Sequence, residues 1–138
     1  MKNLVRLALM IVMMSSQGLV AQEKTTLIVK FENIEKTSGT LHVGIFEKDN
    51  FLKKPIAGKS IEVKGSTHTV QFDNIDFGVY AISVFQDLNA NGTMDTESNG
   101  MPVEPWTMSG NPNPFAAPYW EDVKFTFDTN NKTVKLKI

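Results

Sequence analysis

Cysteine is absent from all 138 residues. That excludes disulfides, thiolate zinc sites, haem attachment through cysteine and a cysteine nucleophile. It also excludes a bacterial lipoprotein, whose mature start must be a cysteine. Charge of one sign is never concentrated, and the formal net charge is only -1. No nucleic-acid footprint is therefore written into the chain. There are two histidines, His42 and His68, and neither has a partner at metal-ligand spacing. No G-x-S-x-G or H-E-x-x-H occurs. Glu97, Glu104 and Glu121 are not paired with a nucleophile. No stretch beyond the first residues keeps a helical period over three turns, and no internal repeat or low-complexity tract is present. No apolar run approaches the ~20 residues that a membrane span needs.

What is present begins with a targeting pattern. Lys2 and Arg6 precede the apolar run Leu7 to Met14, and Ser15 to Ala21 is small and polar. This is the layout of a secretory signal peptide covering residues 1–21, with Gln22 at the mature start. Removing it leaves 12 basic residues of the original 14 against 15 acidic ones, a net charge of -3. The expected product is a single exported domain, residues 22–138, in the periplasm or outside the cell. With the leader cleaved, no stable membrane span is expected.

From Gln22 onward the hydrophobic period is two. Leu27, Val29 and Phe31 alternate with more polar neighbours, as do Leu41, Val43 and Ile45. Asp49 is placed to cap one helical turn, with Phe51 and Leu52 folded back on the core. Ile61 and Val63, then Val70 and Phe72, continue the strand pattern. Gly78 is expected to supply a positive φ or a close backbone approach after the turn at Asn74. Tyr80, Ile82 and Val84 alternate with Val79, Ala81, Ser83 and Phe85, so this strand is apolar on both faces and should be central. Val123, Phe125 and Phe127, then Val134, Leu136 and Ile138, complete seven strands. Seven short strands with turn residues between them predict an all-β fold, an antiparallel sandwich of two sheets with one long irregular loop.

The central strand runs into DLNANGTMD, residues 87–95. Asp87, Asn89, Asn91, Gly92, Thr93 and Asp95 fall at the first, third, fifth, sixth, seventh and ninth places of a calcium-type loop. A hard cation takes six to eight oxygens at short range, so the chain must wrap sharply, and Gly92 permits the required backbone angle. The twelfth place is Ser98, so the closing carboxylate must come from Glu97 or from Glu104. Calcium is the expected cofactor, held weakly at about 10⁻⁴–10⁻³ M because few carboxylates converge. The plain alternative is a loop held by its own side-chain-to-backbone bonds.

Residues 96–120 hold five of the six prolines together with Trp106, Phe115, Tyr119 and Trp120. Packed on the sandwich, these aromatics would cover one end of it; exposed, they would stack on a sugar ring or bind a peptide.

Four pieces of the chain, GTLHVGIFE, FDNIDFGVYAISVFQDLNANGTMD, NGMPVEP and WEDVKFTFD, resemble the exported bacterial domain-of-unknown-function family twenty-one forty-one. The resemblance runs from about Leu27 to Ile138. It implies an Ig-like or transthyretin-like sandwich, similar also to Cna-B-like modules, and export. It implies no activity. Members of that family commonly carry Gly-Phe-Ser after G-x-P-x-E-P, where this chain has Trp106, Thr107, Met108 and Ser109. The leading expectation is a non-catalytic exported sandwich, steadied by calcium, acting as a binding or envelope-associated module for a protein or glycan. The alternative is a carbohydrate- or peptide-binding domain that uses the aromatics of residues 96–120. A hydrolytic enzyme stands last.

Overall fold

The computed structural model describes residues 24–138, so the expected signal peptide and cleavage point fall outside the described residues. Eight strands form among them: β1 Thr26–Glu32, β2 Thr40–Phe46, β3 Ala57–Glu62, β4 His68–Asp73, β5 Gly78–Asp87, β6 Trp106–Met108, β7 Phe125–Phe127 and β8 Lys132–Lys137. One sheet has the order β4-β1-β8. The other has the order β3-β2-β5-β6, with β7 also paired to β5. The two layers expected from the period-two pattern are present, and β5 is central, between β2 and the pair β6 and β7.

The inward residues of both sheets build one core. Leu27, Val29 and Phe31 of β1, with Val70 and Phe72 of β4, face Leu41, Val43 and Ile45 of β2 and Tyr80, Ile82 and Val84 of β5. Nearly all of these side chains are withdrawn from water, the dominant favourable term in holding two sheets together.

Several expectations need correction. The strands number eight rather than seven among the described residues, because β6 forms inside the segment read as irregular. The sandwich is not wholly antiparallel: β1 and β8 pair in parallel, Leu27 opposite Lys132 through Glu32 opposite Lys137. Val123 ends a short helical turn, α1 Trp120–Val123, instead of opening a strand. The turn near Asp49 exists as a 3-10 helix over Lys48–Asn50, but Glu47 is its cap and Asp49 lies inside it. Gly78 is not in the left-handed region, and a Cβ there would come nearest the Tyr80 side chain, at 3.2 Å, rather than backbone; the left-handed residue of that turn is Asn74, at φ 59°.

The aromatic segment also lies elsewhere than expected. Tyr80, Ile82 and Val84 point into the core, so Ala81 faces the opposite side of the sheet, where it meets Met108, Trp120 and Val123. The segment after β6, ending in α1, therefore packs on the outer face of the larger sheet, not at an end of the sandwich. Ser109, fully buried, joins the pieces. Its N–H donates to Ile82 O at 2.9 Å, its Oγ accepts from the Ile82 N–H at 2.8 Å and donates to Val123 O at 2.6 Å. Ser109→Ala should cost about 1–3 kcal/mol in chemical denaturation, because it leaves a buried donor and a buried acceptor without partners.

Candidate functional site

The site grows from the end of β5. Asp87 is its last residue and stands opposite Thr40 of β2. Beneath it, Gln86 is buried. Its Nε2 donates to Lys36 O at 2.5 Å and to Ser38 O at 2.7 Å, and its backbone N–H donates to Pro105 O at 2.8 Å. These bonds fasten the β1–β2 connection and the returning segment 103–105 to the tip of the central strand.

Beyond Asp87 the chain wraps tightly, with Ala90 at φ 59° and Gly92 at φ 77°. Both lie in the left-handed region that the sharp turn requires. The Asp87 carboxylate sits inside this turn and is only 2% exposed. Its Oδ2 accepts from the Gly92 N–H at 2.8 Å and lies 3.4 Å from His42 Nε2. Its Oδ1 is buried and has no hydrogen-bond partner among the described residues. Burial alone would raise the pKa of Asp87. The Gly92 N–H, the His42 ring and the N–H groups of Asn91 and Ala90 together outweigh it and hold the carboxyl below its usual range.

That depression has a sign. The folded protein takes up the Asp87 proton less readily than the unfolded chain does. The resulting stabilisation is complete above the unfolded pKa and is lost as pH falls through the folded one. Melting temperature should therefore drop on acidification from neutrality toward about pH 3, and Asp87→Asn should flatten that drop.

The other oxygens are arranged around Asp95. Asn91 Nδ2 donates to Asp95 Oδ1 at 2.7 Å, and Asn89 Nδ2 donates to Asp95 Oδ2. The amide oxygens face the backbone: Asn89 Oδ1 accepts from the Asn91 N–H at 3.3 Å and Asn91 Oδ1 from the Thr93 N–H at 3.0 Å. Thr93 is exposed on the loop. Glu97, named for the closing role, is exposed in the next turn, Glu97 to Gly100. The carboxylate that ties the loop is Glu104, 6% exposed. Its Oε1 accepts from the Leu88 N–H at 2.9 Å and its Oε2 from the Asp95 N–H at 3.1 Å. One side chain thus spans both ends of the loop.

Sequence reasoning missed His42. Its Nδ1 lies 2.8 Å from Ser60 Oγ, and its ring stacks on Phe85 at 4.8 Å between centroids. The signal is register: His42 pairs with Phe85, which puts Asp87 on the adjacent diagonal. No group of three or more His, Cys, Asp or Glu side chains in metal-holding geometry occurs among the described residues. A cation here would rely on Asn and backbone oxygens beside Asp87 and Asp95.

The four aromatic candidates separate. Trp120 is buried and meets Phe51 edge-on at 5.4 Å. Trp106 packs half-buried on the same cluster. Phe115 and Tyr119 are 87% and 65% exposed. Trp106 and Phe115 line one cavity of about 420 Å³, with Met94, Met101 and Met108 and with Ser83 and Asn99 as its polar side chains. Tyr119 and Trp120 are not part of its lining.

Fold and site together define a two-layer β-sandwich with an oxygen-rich loop at the tip of its central strand. The chain belongs to the bacterial family described as "Uncharacterized protein conserved in bacteria (DUF2141)", whose model matches residues 29–135. Neither a curated protein nor a solved structure matches it.

Proposed function

We propose that this is a non-catalytic exported sandwich protein, Ig-like in topology, whose 87–95 loop is steadied by calcium and which acts as a binding or envelope-associated module. Support for the Ig-like assignment comes from Tyr80, whose hydroxyl donates to Asp76 O at 2.8 Å, four residues back. A tyrosine near the start of a strand bonding to backbone a few residues upstream is a corner used by Ig-type sandwiches. The metal reading is carried by Asp87, a buried carboxylate with one oxygen lacking a partner, in a loop otherwise lined by oxygen donors. An unsatisfied buried acceptor is costly, and a cation would satisfy it. Asp87 and Asp95 would supply the charge, with Asn89, Asn91 and the Thr93 carbonyl as neutral donors. The Asn89 and Asn91 amides would have to turn from their hydrogen bonds with Asp95.

Millimolar calcium should raise the melting temperature by a few degrees over chelator, since a ligand held only by the folded state stabilises it by about 1 kcal/mol at a few times its Kd. The Asp95→Asn variant should lose most of the increase. Superimposable curves in calcium and chelator would remove the metal from the account.

A second reading, a carbohydrate- or peptide-binding domain, is favoured by the cavity beside Trp106 and Phe115. Its size falls in the range of small-ligand sites, ~300–1,000 Å³. Its lining is weighted toward methionine, proline and aromatic groups, which suits an apolar peptide side chain better than a sugar's hydroxyls.

A further inference from the structure

The chain contains two Asn-Gly pairs on exposed turns, Asn91-Gly92 and Asn99-Gly100. Asn-Gly is the dipeptide most open to self-modification, because glycine leaves its own nitrogen unshielded. The Gly nitrogen gives up its proton and attacks Cγ of the preceding Asn. The new N–Cγ bond closes a succinimide, the Cγ–Nδ2 bond breaks and ammonia leaves with the proton. Water then opens the ring, giving Asp or its β-linked isomer.

The two pairs look equivalent in sequence but differ in the structure. The Gly92 N–H donates to the Asp87 carboxylate at 2.8 Å. Removing that proton would place a second negative charge against a buried carboxylate. Asn91 is also pinned at both ends of its amide, Oδ1 by the Thr93 N–H and Nδ2 by Asp95. The Gly100 N–H donates instead to a neutral acceptor, Glu97 O, at 2.9 Å. Asn99 is held at Oδ1 by the Met101 N–H at 3.0 Å, and its Nδ2 has no partner among the described residues. That Oδ1 contact matches the one at Asn91, so the two amides differ in the departing nitrogen, which is held by Asp95 at Asn91 and free at Asn99.

We infer that Asn99-Gly100 is a built-in deamidation site, while Asn91-Gly92 is protected by the loop that holds it. The product matters because of its position. Asn99 stands on the wall of the cavity beside Trp106 and Phe115, whose lining has no charged side chain. Conversion places a carboxylate there and makes the cavity less hospitable to an uncharged apolar ligand.

Peptide mapping by mass spectrometry, after incubating the folded protein in mildly alkaline buffer, reads both sites in one sample. Asn99 should convert about tenfold faster than Asn91, a difference of ~1.4 kcal/mol in barrier. In denaturant the two rates should converge, since only local sequence then remains. In Asp87→Asn, Asn91 should accelerate toward Asn99. Equal rates in the folded protein, a faster Asn91, or a tenfold ratio that persists in denaturant would each overturn the inference. All three of these outcomes are read on the unmodified chain and stand even if the variant fails to fold.

Discussion

Glu104→Ala should lower stability by roughly 3 kcal/mol and release the 88–95 loop. Glu104 is buried, and its two oxygens accept the N–H groups of Leu88 and Asp95, one at each end of that loop. Alanine removes two charge-assisted hydrogen bonds and leaves two backbone donors without acceptors. Hydrogen bonds to a charged group are worth about 1.5–3 kcal/mol each, and water reaching the opened site recovers part of that. Against a typical total stability of 5–15 kcal/mol the loss is large. Urea denaturation measures it, and hydrogen exchange at the Leu88 and Asp95 amides localises it. Glu104→Gln keeps one acceptor oxygen and turns an NH₂ toward the other donor, so it should recover no more than half. A loss below ~1 kcal/mol for the alanine variant would mean that the carboxylate does not organise the loop.

Gly39→Ala should destabilise by a similar amount through a different cause. Gly39 has φ 78°, and an added Cβ would lie 2.3 Å from Asp87 O and 3.2 Å from Leu88 Cα. The left-handed backbone alone costs an alanine about 1–2 kcal/mol. Here the obstruction is backbone, which cannot rotate away, and Gly39 O is also held by the Val63 N–H at 2.9 Å. The strain should therefore be delivered to Asp87 itself, for a total of roughly 3 kcal/mol or more. Gly92→Ala is the matched control. It has nearly the same φ, 77°, but nothing within 4 Å of its Cβ, so it should lose only the ~1–2 kcal/mol backbone term. Equal losses in the two variants would show that contact with the Asp87 carbonyl is unimportant.

Much of this architecture can be read from hydrophobic alternation. Leu27, Val29 and Phe31, or Tyr80, Ile82 and Val84, announce their inward faces because side chains alternate strictly across a strand. The double-sided apolar pattern of β5 also marks it as central. What alternation cannot show is which strands meet. The parallel pairing of β1 with β8 joins residues about a hundred positions apart and leaves no local trace. Strand β6 escapes because three residues, Trp106 to Met108, are too few to display a period, and the surrounding prolines suggest a loop. Ser109 looks like a turn residue and turns out to be a buried connector, because its two side-chain partners come from distant segments.

The loop divides in the same way. Its sharp wrap at Gly92 follows from local spacing. The carboxylate that closes it does not. Glu97 is nearer in sequence, but the hairpin-like turn at Glu97 to Gly100 carries it outward, and the returning segment 103–105 brings Glu104 in. His42 reaches Asp87 only through strand register, which single-sequence patterning leaves undetermined.

The most direct trial of the proposed calcium-steadied sandwich is a calorimetric titration of residues 22–138 with calcium, alongside Asp87→Asn. The account predicts one saturable event per chain, with Kd on the order of 10⁻⁴–10⁻³ M, abolished in the variant. A titration flat beyond heats of dilution, or an identical isotherm from the variant, would contradict it.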